Sequence, residues 1–167
     1  ARFIFLWRDP RENLASIIEA WRSGNWITYA ELPGWDGPWS LLLPPGWQAL
    51  RGKPLEEIAA FQWESANRIV LDDLGGLAPG RWTSLSFAEL VSRPQETLKR
   101  LCSFTGIEFD ASLAQRTAAA LPLSRYTQTP PGAGKWRAHA DAIERVMPRV
   151  EATWKRLQAL GGQSPKR

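Results

Sequence analysis

Cysteine and histidine are nearly missing from this sequence: Cys102 and His139 each occur alone among the 167 residues. A single cysteine excludes an intrachain disulfide and a thiolate metal cluster. A single histidine excludes a His-pair metal centre and leaves no choice of base for a local Ser-His-Asp set. No metal site is expected. No apolar run approaches the roughly 20 residues that a membrane-spanning helix needs. No basic segment leads into a signal-type apolar core. A cytoplasmic protein without a membrane span is the expectation. The phosphate loop Gly-x-x-x-x-Gly-Lys-Ser/Thr is also missing. Charge is ordinary, with 21 Lys and Arg against 17 Asp and Glu for a net +4. The basic residues are spread along the chain rather than gathered in a stripe. That argues against nucleic acid and suits a small anionic ligand.

Tryptophan is plentiful, with ten in the chain. The length fits one domain over residues 1–162, with a frayed basic tail at 163–167. Arg2 to Trp7 is an apolar, aromatic run that reads as a buried strand. It stops at Arg8-Asp9-Pro10 and hands over to an amphipathic helix, Pro10 to Ser23. Leu14, Ile17, Ile18 and Trp21 share one face of that helix, and Gly24 ends it. A strand that stops at an Arg before a helix start makes an anion site. The helix end offers unpaired N–H groups and the positive end of its dipole. Arg8 adds a planar fork of donors, and the Ser16 hydroxyl lies two turns in. The same residues also read as a plain turn, with Asp9 as N-cap and Pro10 at the first helical position. Both readings stand at this point.

Asn25 to Lys53 reads as a long irregular segment rich in Gly, Pro and Trp, and such loops tend to be functional. Pro54 opens a long helix to about Leu74, with Leu55, Ile58, Ala59, Gln62, Ala66, Ile69 and Val70 inward. Trp63, Trp82 and Trp154 fall on core-facing positions. Trp82 to Phe87 reads as a second strand, followed by a helical turn over Ala88 to Val91. Pro94 opens a helix to about Phe104, closed by Gly106. It carries Cys102 among Leu98, Leu101 and Phe104 as a small core residue. Asp110 caps a short Ala-rich helix to Leu121. Leu123 to Gly134 is a Pro/Gly loop. Helical pattern resumes at Lys135, and Pro148 is expected to start the last helix, to about Leu160. These elements predict an α/β fold with a parallel strand pair and a helix-rich C-terminal half. Two strands are few for a parallel sheet. The sequence begins inside a strand, so the rest of the sheet is expected N-terminal to Ala1.

Three segments, in order, resemble the sulfotransferases that use 3′-phosphoadenosine 5′-phosphosulfate (PAPS). Phe3 to Ser16 is similar to the family's strand-Arg-Asp-Pro-helix motif. There an Arg and a Ser eight residues later hold the 3′-phosphate, the spacing of Arg8 and Ser16. Trp82 to Asp110 is similar to the family's strand-turn and following helix, with Phe87 and Ala88 in place of the usual Tyr-Glu and Glu89 at an acidic position. Glu89 alone reads as a structural carboxylate satisfying nearby backbone N–H groups. Gly134 to Arg137 is similar to the basic segment that closes over the cofactor. The family's phosphosulfate loop, of the form P-R-S-G-T-T, does not occur in these residues.

The resemblance implies part of a three-layer P-loop-type sheet flanked by helices. It implies transfer of a sulfuryl group from PAPS to a hydroxyl or amine of a small molecule or glycan. Arg8, Ser16, Lys135 and Arg137 would bind the cofactor, or its product adenosine 3′,5′-bisphosphate. Arg125 and Tyr126 lie just upstream in the same loop. No catalytic residue is assigned. The phosphosulfate loop and base are expected in an N-terminal segment that would act as a partner of this one, and His139 does not match the family's base. Trp26, Tyr29, Trp35, Trp39 and Trp47 are candidates for stacking on the acceptor. Each ring also reads as a staple for its loop. Two alternatives remain: a non-catalytic nucleotide-binding or interaction module of the same fold, and a phosphoryl-transfer enzyme of the wider P-loop class.

Overall fold

The structure, a computed structural model, describes residues 1–119, 121–123 and 134–161. Arg125, Tyr126 and the tail at 163–167 lie outside them. The element order is β1 (Phe3–Trp7), α1 (Pro10–Ser23), β2 (Ile27–Tyr29), β3 (Trp39–Ser40), a 3₁₀ turn at Trp47–Leu50, α2 (Leu55–Gly75), β4 (Trp82–Ser86), α3 (Phe87–Ser92), α4 (Pro94–Thr105), α5 (Ala111–Thr117), a 3₁₀ turn at Lys135–His139 and α6 (Ala140–Gly161). The described residues fall into two compact units. The first draws on Ala1–Arg8, Leu74–Gly132 and Leu157–Arg167, the second on Asp9–Asp73 and Ala133–Arg156.

In the first unit β1 and β4 pair in parallel, from Phe3 beside Trp82 to Trp7 beside Ser86. The expected burial of β1 is corrected: Phe3, Ile4 and Leu6 are 45%, 44% and 48% exposed. Among the described strands β1 has one neighbour, β4, and a two-stranded ribbon cannot cover side chains that alternate to both faces. β4 ends one residue before Phe87, because Ser86 turns away as the N-cap of α3 and accepts from the Glu89 N–H at 3.0 Å. The Glu89 carboxylate takes a hydrogen bond from the Arg100 guanidinium at 2.8 Å, not from the backbone N–H groups expected of it. Arg100 also donates to the Ser84 carbonyl at 3.3 Å, tying α4 to both β4 and α3. Pro94 opens α4 and Gly106 ends it, as read, with Leu101 and Cys102 buried. α5 stops at Thr117, short of Leu121, because Ala118 and Ala119 are exposed and have no apolar face to pack.

In the second unit, α1 has the expected bounds. The 25–53 segment is less irregular than expected, since β2 and β3 form a short antiparallel pair. Trp39 is fully buried and packs edge-on against Trp21, Trp35 and Trp47, with ring centroids 5.2, 4.7 and 5.9 Å away. Leu50 and Ile58 complete this cluster. Gln62, one turn beyond Ile58 on α2, uses its whole amide here. Its oxygen accepts from the Trp21 indole N–H at 2.9 Å, and its nitrogen donates to the Ser40 and Leu42 carbonyls at 2.9 and 2.5 Å.

Pro148 lies inside α6 rather than starting a new helix. A proline in a helix interior costs about 3 kcal/mol, because it lacks the N–H that would reach the residue four back. Ile143, Val146 and Val150 flank it and are all buried, and each buried side chain of this kind contributes about 1.5–3 kcal/mol. Burial therefore outweighs the break. Three arginines of α6 also pair with α2: Arg145 with Glu56 at 2.8 Å, Arg149 with Glu57 at 3.0 Å and Arg156 with Asp72 at 2.7 Å.

Gln62→Leu keeps the volume of this hub and removes its bonds. The change strands the Ser40 carbonyl and the Trp21 indole N–H, while the Leu42 carbonyl keeps the Trp39 indole N–H, and it is expected to cost about 1–3 kcal/mol in urea denaturation. A loss below about 0.5 kcal/mol would show that the amide is not a structural tie.

Candidate functional site

The anion site read at the start of α1 rested on unpaired amides, and the structure corrects that point. Pro10 has no N–H. The Arg11 and Glu12 N–H groups both donate to the Asp9 carboxylate, at 2.9 and 3.4 Å, and the Asn13 N–H donates to the Asp9 carbonyl at 3.0 Å. All the donors of the first turn are thus taken by Asp9. An anion at this junction must be held by side chains or by amides of other segments.

Arg8 belongs to the first unit. The strand pairing ends with Trp7 beside Ser86, and Arg8 and Phe87 follow the two strands directly. The guanidinium carbon sits 4.9 Å from the Phe87 ring centroid, a cation–π contact that orients its fork. Phe87, which departs from the family's usual residue, thus holds the arginine through its ring face.

Ser16, Lys135 and Arg137 belong to the second unit. The Ser16 hydroxyl donates to the Glu12 carbonyl one turn back, at 3.1 Å. One hydroxyl proton serves one acceptor at a time, so Ser16 donates to a ligand only by giving up this bond. The 3₁₀ turn at Lys135–His139 packs against α1. Its anchor is the Gly134 N–H, which donates to the Glu12 carboxylate at 2.7 Å. Glu12 and Ser16 stand one turn apart on one helix face. The turn that carries Lys135 and Arg137 is therefore tied to the helix face that carries Ser16.

Gly134 is favoured by its φ of 81°, in the left-handed region; the Arg137 guanidinium folds back over it, and a Cβ there would push the end of that flexible side chain aside. The Trp136 ring has two cations near it, with the Arg11 and Arg137 guanidinium carbons 5.5 and 5.6 Å from its centroid. Arg11 is fixed in turn by a two-pronged pair with Glu144, at 2.7 and 3.1 Å. Donating to Glu144 raises the Arg11 pKa, and accepting from Arg11 holds the Glu144 carboxyl below its ordinary value. Arg145 does the same to Glu56, again mainly through a hydrogen bond. His139 sits with Nδ1 3.4 Å from an Arg22 guanidinium nitrogen.

The aromatic candidates divide by exposure. Trp39 is fully buried, and its indole N–H donates to the Leu42 carbonyl at 3.0 Å. It is a core anchor with no face left for an acceptor, which corrects its place among the stacking residues. Trp26, Trp35 and Trp47 are half-buried and Tyr29 is exposed. Among the described residues no cluster of His, Cys, Asp and Glu could hold a metal ion, and no helix is long and apolar enough to cross a membrane.

Sequence reasoning missed Glu12. Its signal was present: Asp9-x-x-Glu12 is spaced as a capping box, with the acidic residue at the third helical position. The local rule sends that carboxylate back to the cap, whereas here it reaches a glycine 122 residues away.

Glu56 and Glu144 are both held below the ordinary carboxylate pKa of about 4.3, so on acidification the unfolded chain protonates first. Their pairs contribute stability above that value and lose it as the pH falls through the depressed ones. The double variant Glu56→Gln/Glu144→Gln is expected to lose less melting temperature between neutral pH and about pH 3 than the parent does. Parallel losses in the two proteins would contradict these pairs. Gly134→Ala is expected to lower stability by about 1–3 kcal/mol through strain at its φ. An unchanged melting curve would show that the turn tolerates a Cβ.

A search of curated proteins finds no match. Among solved structures, the chain is similar to one described as "Sulfotransferase Domain from the Curacin Biosynthetic Pathway", at a TM-score of 0.50 and 16% identity. The likeness covers 90% of this chain and 53% of that one, so the chain spans about half the length of that structure. At this identity the likeness speaks for the fold alone. A family model described as "Sulfotransferase family" matches residues 1–111. That span includes Arg8 and Ser16 and ends before Lys135. With two thirds of its length under that model, this chain belongs to the sulfotransferase family.

Proposed function

We propose that the protein takes part in moving a sulfuryl group from PAPS to an acceptor hydroxyl or amine, and that this chain grips the 3′-phosphate. The observation that carries the reading is the bond from the Gly134 N–H to Glu12, which ties a turn bearing two cations to the helix face of Ser16. These donors fit a phosphate: a hydroxyl, an ammonium and a guanidinium supply charge and hydrogen bonds of the kind that hold phosphoryl oxygens. PAPS supplies the activated sulfuryl group and the bisphosphate leaving group.

In this reading Ser16 turns its proton from the Glu12 carbonyl to a phosphate oxygen. Lys135 and Arg137 neutralise the phosphate charge. Arg8 is assigned the same phosphate through the resemblance of its motif. These contacts are remote from the reacting sulfur, so they tighten binding without acting selectively on the transition state. Trp26, Tyr29, Trp35 and Trp47 are the proposed acceptor contacts, with Tyr29 the most exposed of them. The base and the groups that stabilise charge at the sulfuryl group are not assigned to this chain. The β1–β4 pair is, in the same proposal, part of a three-layer P-loop-type sheet within a single sulfotransferase-like domain.

Calorimetric titration with adenosine 3′,5′-bisphosphate tests the reading. Arg8→Ala and Lys135→Ala are each expected to weaken binding by about 10- to 100-fold, the loss of a charged hydrogen bond worth about 1.5–3 kcal/mol. No binding by the parent protein, or binding that neither change weakens, rejects the phosphate site. Sulfuryl transfer from PAPS to a panel of hydroxyl and amine acceptors separates an enzyme from a nucleotide-binding module.

A further inference from the structure

We propose that Glu12 is an internal competitor for the phosphate position, so that an anionic ligand binds by displacing a carboxylate of the protein itself. The inference rests on the phosphate reading of Ser16, Lys135 and Arg137 given above. The Glu12 carboxylate holds the Gly134 N–H at 2.7 Å, a charge-assisted distance. Its own backbone carbonyl holds the Ser16 hydroxyl. Gly134 leads directly into Lys135, and the Arg137 guanidinium lies over the Gly134 α-carbon. A backbone donor, an absent side chain and two cations on one short turn are the parts of an anion site. Here a carboxylate occupies its amide from within.

A phosphate and the Glu12 carboxylate cannot share that amide. Both are anions and acceptors only, and the donor has one proton. A phosphate that takes the Gly134 N–H drives the carboxylate out toward solvent. Glu12 thereby sets a threshold on charge: a dianionic phosphate offers three acceptor oxygens against the two of the carboxylate, while a neutral hydroxyl has no charge to exchange for it. The residue acts as a specificity determinant, favouring ligands that carry the phosphate over otherwise equal ligands that lack it. It also keeps the turn docked when the ligand is away.

Glu12→Gln tests this cleanly, because the glutamine oxygen still accepts from the Gly134 N–H while the charge is gone. Adenosine 3′,5′-bisphosphate is expected to bind Glu12→Gln about fivefold more tightly than the parent, from relief of a like-charge contact at a partly exposed site. Inorganic phosphate should gain in the same direction, and adenosine should not gain. Equal or weaker binding of the bisphosphate overturns the inference and makes Glu12 a positioning residue only. If Glu12→Gln fails to fold, Glu12→Ala is read by the same criteria. Failure of the underlying reading looks different: the parent binds no bisphosphate, or Lys135→Ala costs it nothing. A parent that binds and is weakened by Lys135→Ala, with no gain in Glu12→Gln, defeats this inference alone.

Discussion

The amide of Gln62 is the tie on which the second unit depends. It sits on α2 and reaches three places at once: the indole of Trp21 on α1, and the carbonyls of Ser40 and Leu42 at the end of the tryptophan-rich segment. The Ser40 carbonyl is buried and depends on this bond, and an unsatisfied buried group costs about as much as a good apolar contact contributes; the Leu42 carbonyl also accepts from the Trp39 indole. Once they are bonded, Trp39 can be buried completely among three other indoles. A polar residue on an inward helix face thus makes an apolar cluster possible.

The same logic of occupied donors governs the site. Asp9 uses up the first-turn amides of α1, so the helix end itself has none left for a ligand. In the proposed phosphate site the donors are instead side chains and a distant amide, that of Gly134. Glu12 then joins the two segments. One carboxylate caps the helix and the next in sequence reaches across to the turn, so neighbouring acids on α1 do quite different work. In the first unit the Phe87 ring gives Arg8 a cation–π contact.

Much of the fold was legible because its signals are local. Asp9, Pro10 and Gly24 bracket α1, and Pro94 and Gly106 bracket α4. In both, the caps are read from backbone chemistry that needs no distant partner. Arg8 and Ser16 were singled out through the resemblance of their motif, and the family model covers that stretch without assigning either a role. Pro148 was misleading for the converse reason. The local cost of proline is real, but it is outweighed by burial of Ile143, Val146 and Val150 against partners that the local pattern does not name.

The sequence by itself determined where α1 and α4 begin and end and that β1 and β4 are strands. These follow from periodicity and capping, which act within a few residues. Only the tertiary structure decided that β1 stands exposed, that Trp39 is core while Tyr29 faces solvent, and that Glu12 holds Gly134. Each of those depends on which group from far along the chain arrives to cover a face or accept a proton. Such pairing is settled by packing, which no local pattern encodes.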